Sequence, residues 1–166
     1  MLPTSHACAA AAPGLKVHPQ IVGPLLVALQ FALITAVAVP AARPFLSGLA
    51  GAGAWLLMLS GLVLGAWALA CNRPGNFNIR PTPRAGGQLV QSGPYRWIRH
   101  PMYSAVLLVA AACAWVDASA WSWLAMAALA AVLTVKAGLE ERWMAAKHPG
   151  YAEYRNRSRR FVPGLF

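Results

Sequence analysis

The sequence predicts an all-α integral membrane protein of about four transmembrane helices in two hairpins. A polar loop and a C-terminal segment are expected to close a pocket at one membrane face. Three observations predict this. The apolar residues, 58% of the chain, gather in four blocks without an internal charge instead of spreading over a compact core. The blocks at 20–39 and 47–71 reach the ~20 residues that a helix needs to cross hydrocarbon. The cations fall outside the blocks, and almost all of them on one side of the expected membrane.

Residues 1–19 are Ala-rich and weakly charged, a flexible tail without the basic start and short apolar run of a cleaved signal. Residues 20–71 form a scaffold hairpin: a first span at 20–39 with Pro24 near its start, a loop at 40–46 around Arg43, and a second span at 47–71. Gly61 and Gly65 give the second span a small-xxx-small face on which another helix can pack closely. The Gly51-Ala52-Gly53 run has no strand before it and lies in a span, so it reads as packing rather than as a dinucleotide turn.

Residues 72–166 form the region expected to carry chemistry. The loop 72–101 is rich in Pro, Gly, Asn and Arg, and Pro74, Pro81, Pro83 and Pro94 exclude a regular helix through it. A helical hairpin follows at 102–147. The block 102–116 is short and borrows polar residues from its start near His100; it either crosses fully or enters and returns. Asp117-Ala118-Ser119 makes the tip, with Ser119 capping the next helix. The apolar block 119–135 continues as helix through Glu140, Glu141 and Met144 until His148-Pro149-Gly150 stops it. In the C-terminal cap, 148–166, a short helix at 151–155 precedes an extended tail, and Trp143, Tyr151 and Tyr154 suit the membrane interface.

The net charge of +10 belongs to topology rather than to nucleic acid. Five arginines, Arg73, Arg80, Arg84, Arg96 and Arg99, lie between spans two and three. Lys136, Arg142, Lys147, Arg155, Arg157, Arg159 and Arg160 follow span four, and Lys16 precedes span one. Only Arg43 lies in the short loops between paired spans. This places both termini and the central loop in the cytoplasm, against anionic lipid. Cys8, Cys71 and Cys113 have neither paired nor metal-like spacing, so free thiols are expected and no metal site.

Three constellations carry chemistry. In Tyr95-Arg96-Trp97-Ile98-Arg99-His100-Pro101-Met102-Tyr103, Pro101 is ordinary helix-start chemistry. Tyr95, Arg96, Arg99, His100 and Tyr103 around it exceed what anchoring at headgroups requires. Glu140 and Glu141, two of four acids in the chain, sit at the end of a span where bases are favoured, so they want partners. One is expected to form ion pairs and the other to face a ligand, because adjacent helical positions diverge by about 100°. Arg160 either returns to the pocket to hold an anionic group with both arms of its guanidinium, or stays solvated like Arg155, Arg157 and Arg159.

In order and spacing, Leu89-Val90, Gly93-Pro94-Tyr95-Arg96, Arg99-His100-Pro101-Met102-Tyr103, Glu140-Glu141, Tyr151-Ala152-Glu153-Tyr154 and Arg160-Phe161-Val162-Pro163 resemble the isoprenylcysteine carboxyl methyltransferase family and its phospholipid-methyltransferase-like membrane relatives. Asn76-Phe77-Asn78-Ile79-Arg80-Pro81 looks like the ligand-facing loop of small bacterial members. The resemblance implies an S-adenosylmethionine-dependent transfer of methyl to a lipophilic or small acceptor, either a carboxylate or an amine, in the bacterial inner membrane. It assigns Tyr95, Arg99, His100, Tyr103 and Glu141 to the cofactor, Arg160 to the acceptor, and Glu141 or Glu140 to proton acceptance. The competing expectations are a nicotinamide-dependent reductase resembling the membrane sterol reductases, and a non-enzymatic membrane scaffold or lipid-binding protein.

Overall fold

The computed structural model describes residues 19–72 and 89–164, with the side chains of residues 19 and 20 left aside. It consists of α1 (Pro19–Leu46), α2 (Ala52–Cys71), a 3-10 turn (Gly93–Arg96), α3 (Pro101–Asp117), α4 (Ala120–Lys147) and α5 (Tyr151–Arg157). Helices α1, α2 and α4 are long and apolar enough to cross a membrane, and α3 is a shorter apolar helix of 17 residues. The chain is thus an integral membrane protein built on two helical hairpins.

The first hairpin differs from expectation at its tip. Helix α1 runs on through Pro40, Arg43 and Pro44 to Leu46, where a loop was expected at 40–46. Proline's fixed φ is itself helical, and α1 holds Pro24, Pro40 and Pro44 within it. The helix ends only where Ser47 donates from both its N–H and its hydroxyl to the Arg43 carbonyl, at 3.0 and 2.8 Å. Gly48, at φ +71°, then turns the chain, and α2 begins at Ala52 rather than 47.

Helix α2 lies closely against α3, as its small residues predict. A Cβ added at Gly61 would meet Val109 Cγ2 at 2.8 Å and the Ala105 carbonyl at 2.9 Å; one at Gly65 would meet Ala105 Cβ at 3.4 Å. The second hairpin turns tightly. Ala118 takes the left-handed conformation that ends α3. Ser119 caps α4 by accepting the Ser122 N–H at 3.1 Å, and both serine hydroxyls donate to Asp117.

The core joins three of the long helices through mostly small residues: Val37 and Ala41 from α1, Ala110, Cys113 and Ala114 from α3, Ala125, Leu129, Leu133 and Ala137 from α4, with the partly buried Met58 of α2 packed against them. Large apolar side chains such as Leu25, Leu56, Val63 and Leu124 point outward, as a hydrocarbon solvent allows. Exposed tryptophans mark both ends of the bundle: Trp55, Trp115, Trp121 and Trp123 at the hairpin tips, Trp67 and Trp97 at the other end. Lys136 is corrected from an external cation to a buried one: it is 1% exposed, and its Nζ donates to Gln30 Oε1 of α1 at 2.8 Å.

Candidate functional site

The site forms at the Trp67/Trp97 end, where the segment entering α3 meets the C-terminal tail. Gly93 opens the 3-10 turn at φ +58°, and a side chain there would run into Cys71 Sγ, so the turn sits directly on the end of α2. Pro94 then accepts the Ile98 N–H at 3.0 Å. His100 occupies the N-cap of α3 with its backbone carbonyl, accepting from Tyr103 N–H at 3.0 Å. Its imidazole makes no cap bond and is left for other partners.

The tail pairs with this segment like two short parallel strands. Arg159 N–H donates to the Trp97 carbonyl at 2.9 Å, Arg99 N–H to the Arg159 carbonyl at 2.7 Å, and His100 N–H to the Arg160 carbonyl at 3.1 Å. The Ser104 hydroxyl adds a bond to the Phe161 carbonyl at 2.6 Å. The extended tail expected from the sequence is therefore a clasp that delivers Arg160 to α4.

Glu141 is the centre of the cluster. Its carboxylate accepts from Arg99 Nε at 2.9 Å, from Arg160 Nη2 and Nε at 3.0 and 3.2 Å, and lies 3.3 Å from His100 Nε2. Its side chain is 6% exposed, whereas that of Glu140 is 20% exposed. Glu140 accepts from the Tyr103 hydroxyl and lies 3.3 Å from His100 Nδ1. Divergent helical positions were expected to keep the two carboxylates from sharing one small site. An imidazole set between them, one nitrogen toward each, is how both come to face the same residue.

His100 stacks parallel on Tyr103 at 5.4 Å between centroids, with Phe161 at 6.1 Å on a tilt. Burial alone pulls the imidazole down from its ordinary value; hydrogen bonds to Glu140 and Glu141 more than offset it and hold the pKa above 6.5. Burial, with the nearby Cys71 and Glu140 charges, pushes the Tyr95 phenol up to about 12. Arg99 is held further by the Ser158 and Arg155 carbonyls at 2.5 and 3.2 Å.

Tyr95, Arg99, His100, Tyr103, Glu140, Glu141 and Arg160 thus gather at one place. Sequence reasoning missed four participants. Tyr154, read as an interfacial residue, is 3% exposed and donates its hydroxyl to the Tyr95 carbonyl at 2.7 Å; Tyr151 beside it is 4% exposed. Their rings meet edge to face at 5.9 Å between centroids. Ser158 and Phe161 contribute backbone carbonyls, for which sequence holds no signal. Asn76, Phe77, Ile79 and Arg80 lie outside the described residues, as does Cys8.

Next to the cluster an apolar cavity of about 410 Å³ opens between α1, α2 and α3, with Val37, Gly61, Leu69, Met102 and Val109 among its walls. Met102 lies in the first turn of α3, two residues after the N-cap His100, so one end of the cavity reaches the helix start that carries the cluster.

The described residues thus form a helical membrane bundle with a buried carboxylate–guanidinium centre and an apolar cavity. The phospholipid methyltransferase family model matches residues 48–149, more than half of the chain, and the chain belongs to that family. It is a membrane methyltransferase by that membership. The match takes in α2, the 3-10 turn, α3 and α4, and leaves α1 and the Arg160 clasp outside. None of the curated proteins compared with the chain matches it.

Proposed function

We propose that the Glu140–Glu141 cluster is an S-adenosylmethionine site and that the methyl acceptor is an amine on a lipophilic molecule. The carrying observation is the juxtaposition of the charged cluster, closed by Arg160, with the apolar cavity ending at Met102. The donor set fits the cofactor's groups: carboxylate oxygens for its ammonium, guanidinium N–H groups for its carboxylate, and the His100, Tyr103 and Phe161 rings for its adenine and sulfonium. When bound, the cofactor supplies an activated methyl carried on sulfonium sulfur.

The chain's own residues then have to align, shield and accept a proton. Arg99 and Arg160 hold Glu141 rigidly, and Glu141 in turn fixes one nitrogen of His100. Glu140, the more open carboxylate, is placed to take the proton that an amine sheds on methylation, at the oxygen not engaged by Tyr103. A carboxylate acceptor sheds no proton on methylation, so a carboxylate placed to accept one favours the amine. The apolar cavity takes the acceptor's hydrocarbon part. Arg96, Arg99, Arg142, Lys147, Arg155 and Arg157 cluster at the site's end against Arg43 alone at the other, which supports a cytoplasmic site in an inner membrane.

The test is calorimetric binding of S-adenosylmethionine to purified protein in detergent. Saturable binding, lost in His100→Ala and Glu141→Gln with the fold intact, is expected. Folded wild-type protein that binds no S-adenosylmethionine but binds a nicotinamide cofactor would overturn the proposal. The acceptor is read by methyl transfer to aminolipid against prenylated cysteine.

A further inference from the structure

Lys136 is a buried cation that the reaction above does not use. A charge inside a membrane span is costly unless something compensates it, and an apolar residue of the same length would pack there at lower cost. Its compensation is specific. The ammonium donates to Gln30 Oε1 at 2.8 Å, and Gln30 is itself 7% exposed. It also lies 5.2 Å from the centroid of the Tyr103 ring. That ring stacks on His100, and its hydroxyl donates to Glu140. Lys136 stands four residues before Glu140, on the same face of α4. One chain of contacts therefore runs from α1, through α4 and α3, to the more open carboxylate of the site.

We propose that Lys136, held by Gln30, is a positioning residue for methyl transfer: its charge fixes the Tyr103 ring, and the Tyr103 hydroxyl fixes Glu140 beside His100. The inference rests on the methyltransferase reading for its functional part alone. A cation against the ring withdraws electron density from the phenol and strengthens its O–H as a donor, so the grip on Glu140 depends on the charge and not only on the packing. Gln30 lies outside the residues that the family model matches. The scaffold hairpin thereby reaches the chemistry through one side chain.

The experiment compares Lys136→Met, which keeps length without charge, with Lys136→Arg, which keeps charge. The chain has four tyrosines, so ¹³C-tyrosine NMR in detergent yields few ring signals, and Tyr103→Phe assigns the relevant one. In Lys136→Met the Tyr103 signal is expected to shift and broaden, kcat to fall about ten-fold, and KM for S-adenosylmethionine to rise because the same ring faces the cofactor. The melting temperature should hold or rise, because replacing a buried charge with an apolar isostere is often neutral or stabilising. Lys136→Arg should recover the signal and most of the turnover. An unmoved Tyr103 signal in Lys136→Met would overturn the proposal. So would a parallel loss of turnover and melting temperature, which marks a purely structural lysine. If Lys136→Met does not fold, Gln30→Leu frees the ammonium and is read by the same signal and the same kcat. Wild-type protein that binds no S-adenosylmethionine sinks the methyltransferase reading separately, while the Tyr103 signal still decides whether Lys136 holds the ring.

Discussion

Replacing Glu141 with Gln keeps the shape of the side chain and removes the charge that two arginines share. Arg99 and Glu141 are 10% and 6% exposed, so water cannot take over the interaction. Breaking such a buried pair from one side costs about 3–5 kcal/mol. Two features pull the value to the lower end. Arg99 keeps its bonds to the Ser158 and Arg155 carbonyls, and Arg160, at 25% exposure, can turn toward solvent. The expected loss is therefore about 3 kcal/mol, or about 6–12 °C in melting temperature for a chain of this size. Glu140→Gln removes a more open carboxylate bonded to the Tyr103 hydroxyl and 3.3 Å from His100 Nδ1, and its cost should be about 1–2 kcal/mol. Thermal melts in detergent, followed by tryptophan fluorescence, measure both. A Glu140→Gln variant as destabilised as Glu141→Gln, or a Glu141→Gln loss below about 1 kcal/mol, would refute the assignment of Glu141 as the anchor.

Three further outcomes follow from the same geometry. The folded state holds the His100 proton above the ordinary value of 6.5, so this contribution is complete below that pH and is lost as pH rises through the folded value; wild-type melting temperature should fall across that window, and His100→Gln should flatten the slope. Gly61→Leu forces a side chain onto Val109 and the Ala105 carbonyl and should cost at least about 1–3 kcal/mol, while Gly65→Ala, meeting Ala105 Cβ at 3.4 Å, should melt near wild type. Gly93→Ala puts a Cβ against Cys71 Sγ on a left-handed backbone, costing about 1–2 kcal/mol from conformation alone; Cys71→Ala in the same chain should restore part of the melting temperature and of cofactor binding by relieving the clash.

What the sequence made legible follows from which signals are local. Four uncharged apolar blocks foretell four helices because hydrocarbon tolerates only helices and closed barrels, and the blocks are too long for barrel strands. Ser119 was recognisable as a cap and Pro101 as a helix start, since both act within one turn of chain. Pro40 and Pro44 misled, because a proline pair reads as a loop although its fixed φ is compatible with a helix. Lys136 misled for a related reason. A lysine at the edge of an apolar block reads as a headgroup contact, and only the distant Gln30 reveals it as buried. For the site, the residue types in the loop and at Glu140–Glu141 pointed to one cluster. The imidazole between the carboxylates, and the tail pairing that brings Arg160 to Glu141, are contacts across 41 and 19 residues that no local pattern encodes.

The clasp between residues 97–100 and 159–161 also separates the making of the helices from the making of the site. Arg160 follows α1 to α4 in the chain, so a chain cut after Arg157 would keep every long helix. Glu141 would lack its bidentate partner, and the segment entering α3 would have no strand beside it. The helices need only their own backbone hydrogen bonds and hydrocarbon around them, whereas the polar centre needs the tail. Such a truncated chain would be a membrane protein with every helix in place and no assembled site.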